Sequence, residues 1–123
     1  MKKERENRVL FLMDEHRKYG LLEMDLNRII SIFKSNQKVE KTILFGSRAK
    51  GNFQPGSDID IVLQGTNLKL DDILDFKIKI EELLLPYKFD ITIYERIKNQ
   101  ELLDHIDRVG VLLFQRSLGL RIK

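Results

Sequence analysis

The spacing of apolar residues predicts a chain in which helices alternate with strands. Apolar side chains that recur every three or four positions predict helices at residues 1–18, 22–35, 70–85 and 99–109. Short runs in which all residues or every second residue is apolar predict strands at residues 39–45, 58–63, 88–94 and 111–114. Pro86 is expected to end the third helix, and Gly110 to cap the last.

This order of elements predicts an α/β (α+β) fold in which helices cover a small mixed sheet. The side chains expected to face the core from the helices are Leu26, Ile29, Ile30, Phe33, Ile73, Phe76, Ile80, Leu83, Leu84, Leu102, Leu103 and Ile106. At 123 residues the chain is long enough for one domain with one core. We expect that domain at residues 19–115, after a helical extension at residues 1–18 and before a flexible tail at residues 116–123.

Composition narrows the classes of function. The chain has no cysteine, which excludes disulfides and thiolate zinc sites, and its two histidines make a histidine-rich metal site improbable. The apolar patch at residues 9–13 is too short for a signal peptide or a membrane span, so we expect a cytoplasmic protein without a membrane partner. The few aromatic residues form no stacking platform, and direct DNA binding is not expected.

The longest loop, residues 46–57, begins directly after the first predicted strand and has room for one helical turn at residues 47–50. Gly46 lets backbone N–H groups approach a phosphate closely, and the Ser47 hydroxyl adds a donor. Arg48 and Lys50 can offset phosphate charge, and we expect Arg48 to contact a nucleotide. Gly-Ser pairs are also common in ordinary turns, and loop cations are often only solvated, so this loop alone does not identify a phosphate site.

Asp58 and Asp60 follow the loop, two residues apart on a predicted strand. Their side chains therefore project from the same face, while Ile59 and Ile61 point into the core on the other. Two carboxylates so close repel each other unless a cation lies between them. Mg²⁺ is commonly held by one or two carboxylates together with substrate phosphates, and two such metals can assist an in-line displacement.

Asp90 lies in the middle of the third predicted strand, between Phe89 and Ile91. If the second and third strands are neighbours, about 4.8 Å apart, Asp90 joins Asp58 and Asp60 in a group of three carboxylates. The alternative is an aspartate at a sheet edge that pairs with a lysine. On the last predicted helix, His105 is interpreted as a partly buried or surface side chain.

The motif formed by Gly46-Ser47, ten further residues and Asp58-Ile59-Asp60 resembles the signature of the DNA polymerase beta-like nucleotidyltransferase superfamily. Residues 44–51, which read Leu-Phe-Gly-Ser-Arg-Ala-Lys-Gly, are similar to its small prokaryotic branch, the minimal nucleotidyltransferases (MNT). The resemblance extends from about Tyr19 to Phe114. It does not explain residues 1–18, and Leu22 stands where members of the branch often have a helix-capping residue.

The resemblance implies the polymerase-beta-like nucleotidyltransferase fold and a magnesium-dependent transferase. By similarity, Gly46 and Ser47 hold the triphosphate of a nucleotide, and Asp58 and Asp60 ligate two Mg²⁺ ions. Asp90 matches the third carboxylate, which helps to hold the catalytic metal and accepts the proton of the attacking hydroxyl. ATP would be the substrate, and a nucleoside monophosphate, AMP in this case, would be transferred with release of pyrophosphate.

Many members of this branch pair with a small helical HEPN protein, often as the antitoxin of a HEPN ribonuclease toxin, and can transfer AMP to a toxin tyrosine. The leading hypothesis is therefore a protein adenylyltransferase that serves as an antitoxin in a homo- or hetero-oligomer. One alternative is a non-catalytic subunit that neutralises a HEPN partner by contact, which the three intact aspartates disfavour. The other is nucleotidyl transfer to a small molecule, for which we expect a second domain to form the acceptor site.

Overall fold

A four-stranded mixed sheet forms the centre of the structure. The computed structural model describes residues 17–117. In chain order the elements are β1 (Arg17–Lys18), β2 (Leu21–Leu22), α1 (Glu23–Lys34), β3 (Lys41–Phe45), α2 (Gly46–Lys50), β4 (Ile59–Gln64), α3 (Leu70–Glu81), β5 (Phe89–Ile93), a 3₁₀ turn (Tyr94–Arg96), α4 (Gln100–Val109) and β6 (Val111–Gln115). The sheet order is β5-β4-β3-β6, with β3 antiparallel to both neighbours and β4 parallel to β5. The predicted α/β fold with a mixed sheet is confirmed.

The two faces of the sheet are covered unequally. Helices α1 and α3 pack on one face, where the rings of Phe33 and Phe76 meet edge to face with centroids 5.1 Å apart. Alternate residues of β4, namely Ile59, Ile61 and Leu63, point to this side and are fully buried. The opposite face carries a smaller cluster in which Phe45, Val62 and Ile106 pack together under α4. Asp60, between Ile59 and Ile61, belongs to the face that α4 covers only in part.

The chain enters the domain through a hairpin. Strands β1 and β2 pair antiparallel across Tyr19 and Gly20, whose φ angles are +57° and +78°. Two consecutive positive φ angles are those of a type I′ turn, which reverses the chain tightly. The predicted helix at residues 1–18 is therefore wrong at Arg17 and Lys18, which are strand residues. Residues 1–16 of that prediction lie outside the described part.

Helix α3 ends earlier than predicted. It stops at Glu81, although apolar residues continue to Leu85 and Pro86 follows. Twelve helical residues cover about 18 Å, already enough to run back along the five residues of β5, which span about 17 Å. The chain then turns, with Leu84 at φ +56° and 88% exposed. Leu84, predicted to face the core, is thus at the surface, whereas Ile73, Phe76 and Ile80 are buried as predicted.

The last described residues are tied to the domain. Strand β6 pairs with β3, and the predicted final strand at residues 111–114 is confirmed. Arg116 follows it and donates hydrogen bonds to the carbonyl oxygens of Val39, Lys34 and Asn36, at 3.0 to 3.1 Å. Its guanidinium carbon also lies 5.2 Å from the ring centre of Phe114. Arg116 is therefore anchored rather than part of a flexible tail; residues 118–123 are not described.

Candidate active site

Gly46 begins the candidate site at the end of β3. It has a φ of +75°, and a Cβ at this position would overlap the carboxylate of Asp60. Both observations require glycine, because another residue would be strained by its backbone and would collide with the acid. Ser47 follows in α2, a helix of only five residues. The Gly-Ser pair predicted as a phosphate contact therefore lies directly against one of the predicted metal ligands.

Asp60 and Asp90 face each other across the parallel strands β4 and β5. They are register partners, so their side chains leave the same side of the sheet from adjacent strands. Asp58 precedes β4 and is exposed, as is Asp90, whereas Asp60 is half-buried. Among the described residues, Asp90 pairs with no lysine, so none of them supports the alternative of a lysine-paired aspartate at the sheet edge. The structure thus brings the three predicted carboxylates to one end of the sheet.

The electrostatics of Asp60 reflect this crowding. Burial raises the pKa of its carboxyl above the ordinary value, and the nearby charges of Asp90 and Asp58 raise the pKa further. Only a positively charged His105 would have the opposite, smaller effect on that pKa. An ionised Asp60 is therefore destabilised by its surroundings and would gain from a cation placed between the carboxylates. Phosphate-bound Mg²⁺ is such a cation.

The donor set fits magnesium delivered with a nucleotide. Within residues 17–117, no three histidine, aspartate or glutamate side chains converge closely enough to form a complete metal site on their own. Carboxylate oxygens are nevertheless the ligands Mg²⁺ prefers, and it usually takes one or two of them with the remainder from phosphates and water. The burial of Asp60 and its closeness to Asp90 and Asp58, which raise its pKa, are the observations from this chain that favour a bound cation.

Arg48 does not face the candidate phosphate site. Its side chain is 1% exposed, and its guanidinium donates to the carbonyl oxygens of Ser57 at 2.9 and 3.1 Å, Tyr19 at 2.9 Å and Pro55 at 3.4 Å. The rings of Phe53 and Tyr87 lie about 5 Å from its guanidinium carbon. The predicted nucleotide contact is therefore corrected: all the donors of Arg48 that are described serve the loop before Asp58 and the first hairpin.

His105 is a site residue that sequence reasoning missed. The Gly46 N–H donates to its Nε2 at 3.3 Å, and its ring meets that of Phe45 edge to face at 6.3 Å. A signal was present, because His105 shares the inward stripe of α4 with Leu102 and Ile106. Nothing in the spacing, however, reveals that this stripe meets the end of β3, 59 residues earlier.

A groove of about 490 Å³ lies elsewhere, between the end of α3 and the start of β5. Its lining includes Ile80, Leu85 and Phe89, which belong to the face of the sheet that α3 covers. Asp90 points to the other face, so this groove is not the space in front of the acids.

In the described part of the chain, no helix is long and apolar enough to cross a membrane.

Comparison with solved structures finds the same fold in toxin–antitoxin complexes. A toxin–antitoxin structure with AMP-PNP is 22% identical, with a TM-score of 0.63 over 79% of this chain and 78% of that chain. A chain in the structure of a tri-AMPylated Shewanella oneidensis HEPN toxin in complex with MNT antitoxin is 19% identical to this chain. The TM-score is 0.60, and the match covers 81% of this chain and 77% of that chain. The MntA–HepT toxin–antitoxin is 20% identical, with a TM-score of 0.58 over 81% and 78%.

Family membership rests on a separate comparison. No curated protein matches this sequence. A family model described as polymerase beta, nucleotidyltransferase matches residues 27–118, well over half of the chain. That range holds the Gly46-Ser47 turn, the acids of β4 and β5, and α4 with His105. This chain therefore belongs to the polymerase beta nucleotidyltransferase family.

Proposed function

We propose that this protein is a magnesium-dependent adenylyltransferase that moves AMP from ATP to a hydroxyl of a HEPN protein, and that it serves as the antitoxin of that partner. The observation that carries the proposal is the pairing of Asp60 with Asp90 in register, directly beside Gly46. The solved structures with AMP-PNP and with an AMPylated HEPN toxin share this fold and favour ATP and a HEPN partner.

Each residue has a role in the proposed reaction. The Ser47 hydroxyl and the Ser47 N–H hold the β- and γ-phosphates, at a turn that Gly46 makes possible. Asp58 and Asp60 would hold Mg²⁺, assisted by Asp90, and a metal bound there would neutralise charge that develops on the phosphates. Arg48 contributes indirectly, because it fixes the loop that ends at Asp58.

The chemical step is an in-line displacement. A hydroxyl oxygen of the partner forms a bond to the α-phosphorus, and the bond from that phosphorus to the bridging oxygen of pyrophosphate breaks. Asp90 accepts the hydroxyl proton, and its exposed carboxylate is open to a macromolecular acceptor. The products are an AMP ester on the partner and pyrophosphate.

The test begins with a search of the neighbouring reading frame for a HEPN protein, which then serves as the partner. The complex is incubated with Mg²⁺ and ATP labelled on the α-phosphate, and label on the partner is measured for the wild type and for Asp58→Asn/Asp60→Asn. We expect the wild type to label the partner and the double variant to lose at least about a hundredfold in rate. Addition of a chelator should stop transfer in the wild type.

Asp72→Asn is the matched control, because it also removes an acid but lies beyond the opposite end of β4, near Lys38 and Asn67. It should transfer AMP at the wild-type rate. If the double variant protects cells from the partner as well as the wild type does, the protein is a non-catalytic subunit that acts by contact. Labelling of a small molecule instead of the partner would favour the other alternative.

A further inference from the structure

Helix α4 is fixed rigidly against the end of β3 that carries the site. At its start, the Asn99 side chain accepts a hydrogen bond from the Leu102 N–H at 3.1 Å, which caps the helix. Near its end, Ile106 is 3% exposed and packs on Phe45 and Val62. His105 is the neighbour of this anchor, so the position of its ring is set by a capped and packed helix rather than by a mobile loop.

The imidazole of His105 is placed to act on the backbone of Gly46. Its Nε2 accepts the Gly46 N–H, which requires the neutral tautomer with hydrogen on Nδ1. The edge-to-face contact with Phe45 holds the ring in this orientation. Gly46 is also the residue whose left-handed backbone brings the chain against the Asp60 carboxylate. One hydrogen bond therefore joins α4 to the turn that begins the candidate phosphate site.

We propose that His105 is a positioning residue for nucleotide binding: by accepting the Gly46 N–H, it holds the Gly46-Ser47 turn in the conformation that receives the phosphates. The proposal rests on the proposed nucleotide site but adds a residue to it from a distant part of the chain. Rigid placement of the turn lowers the conformational cost of binding. Loss of the hydrogen bond between Gly46 and His105 is therefore expected to weaken nucleotide affinity more than it slows AMP transfer.

Three substitutions separate the hydrogen bond from the packing of the ring. His105→Gln places an acceptor oxygen at about the position of Nε2. His105→Asn places one near Nδ1, too short to reach Gly46, and His105→Phe keeps an aromatic ring on Phe45 without an acceptor. The first variant retains the proposed interaction, and the other two remove it in different ways.

The measurements are the Kd of Mg-ATP by calorimetry, and kcat and KM for AMP transfer to the partner. We expect His105→Gln to stay within about twofold of the wild type. His105→Asn and His105→Phe should raise the Kd and KM about fivefold, the equivalent of about 1 kcal/mol for one net hydrogen bond, with kcat changed less than twofold. A merely structural role would not give rescue by glutamine together with this split between KM and kcat.

Two results would overturn the proposal while leaving the proposed function intact. The first is a His105→Phe variant that binds Mg-ATP as well as the wild type. The second is tighter binding by that variant, which would mean that His105 competes with phosphate for the Gly46 N–H. If phenylalanine prevents folding, the comparison of Gln with Asn decides, since equal affinities would also contradict the proposal. Failure of the wild type itself to bind Mg-ATP would instead remove the proposed function, and this inference with it.

Discussion

The buried guanidinium of Arg48 holds the loop before Asp58 against the hairpin formed by β1 and β2. We expect Arg48→Lys to lower the free energy of unfolding by about 2–3 kcal/mol, because a lysine cannot reach the carbonyl oxygens of Ser57 and Tyr19 together or stack between two rings. Urea denaturation measures the change. Lys50→Ala, which removes an exposed cation two residues later, is the control and should change the stability by less than about 0.5 kcal/mol.

The outcome also separates the two roles considered for Arg48. A variant of unchanged stability with weakened Mg-ATP binding would contradict the structural role and restore the direct phosphate contact that the sequence suggested. Sequence reasoning identifies a cation in a phosphate-like loop, but it does not give the direction of the side chain. That direction depends on Tyr19 and Tyr87, which are distant in the chain.

The raised pKa of Asp60 leads to a prediction about stability and pH. In the folded protein the ionised carboxylate is disfavoured, so the wild type loses stability as the pH rises from the ordinary value of 3.8 through the raised pKa. Without divalent metal, we therefore expect Asp60→Asn to unfold at a higher urea concentration than the wild type at pH 7. The difference should disappear near pH 3, where the wild-type carboxyl is protonated.

Asp75→Asn provides the comparison for Asp60→Asn. Asp75 is 55% exposed and pairs with Lys79 one helical turn away, an arrangement that contributes little to stability. Its substitution should shift the midpoint only slightly at either pH. A wild type more stable than Asp60→Asn at pH 7 in chelator would show that burial and the charges of Asp90 and Asp58 do not destabilise the ionised carboxylate.

At the scale of elements, Asp72 joins the start of α3 to the turn between α1 and β3. Its carboxylate accepts hydrogen bonds from Lys38 Nζ at 2.6 Å, from the Lys69 N–H at 2.9 Å and from Asn36 Nδ2 at 3.1 Å. The hydrogen bond from Lys38 is the main reason that the pKa of Asp72 is lowered. This stabilisation is complete above the ordinary pKa of 3.8 and is lost as the pH falls through the lowered value.

We expect Asp72→Asn to cost about 1 kcal/mol of unfolding free energy at pH 7, with a smaller difference below pH 3.8. The estimate is modest because the Lys38 side chain is 40% exposed. Urea denaturation at several pH values tests it, with AMP transfer measured in parallel. If Asp72→Asn lost AMP transfer while keeping full stability, the Asp72 contacts would influence the active site, and this variant would not be a valid control.

The sequence predicts the arrangement of side chains where it depends only on the pattern within one element. Strict alternation in β4 placed Asp58 and Asp60 on one face. Whether β5 lies beside β4 was left open, and the structure shows the parallel pairing, which α3 makes possible as a crossover connection. The end of α3 was not readable, since Leu83, Leu84 and Leu85 continue an apolar helical pattern. Beyond that end the chain turns towards β5 with Leu84 at a φ of +56°, which the apolar pattern does not reveal.

At the scale of the whole molecule, the site is assembled from three separate segments: the turn after β3, the edge of β4 and β5, and α4. Mg-ATP that bridges them should stabilise the entire fold. At a concentration of about 100 times the Kd, binding adds about 2.7 kcal/mol, enough to raise the Tm by several degrees. Thermal unfolding with Mg-ATP measures the shift, and Asp58→Asn/Asp60→Asn should show little of it.

ATP with chelator and Mg²⁺ alone are the controls for this shift. An equal rise in Tm without divalent metal would mean that the acids take no part in nucleotide binding. The sequence anticipated the turn after β3 and the acids at the start of β4, because they form a compact motif, and it proposed Asp90 of β5 from its position in an apolar strand and from the resemblance. The third, α4, could not be placed, since its contact with Gly46 follows from the position of β6 beside β3, which carries α4 back across the sheet.

The register of β4 and β5 restricts which insertions and deletions the chain tolerates. Asp60 meets Asp90 only because residues 65–88 have the right length to return β5 in phase. A single residue inserted before Phe89 would exchange the two faces of β5 and place phenylalanine opposite Asp60 instead of an acid. Two inserted residues would restore the face but displace the carboxylate by about 7 Å. Among descendants of this sequence, length changes in the crossover should therefore be confined to its loops and be absorbed there before β5 begins.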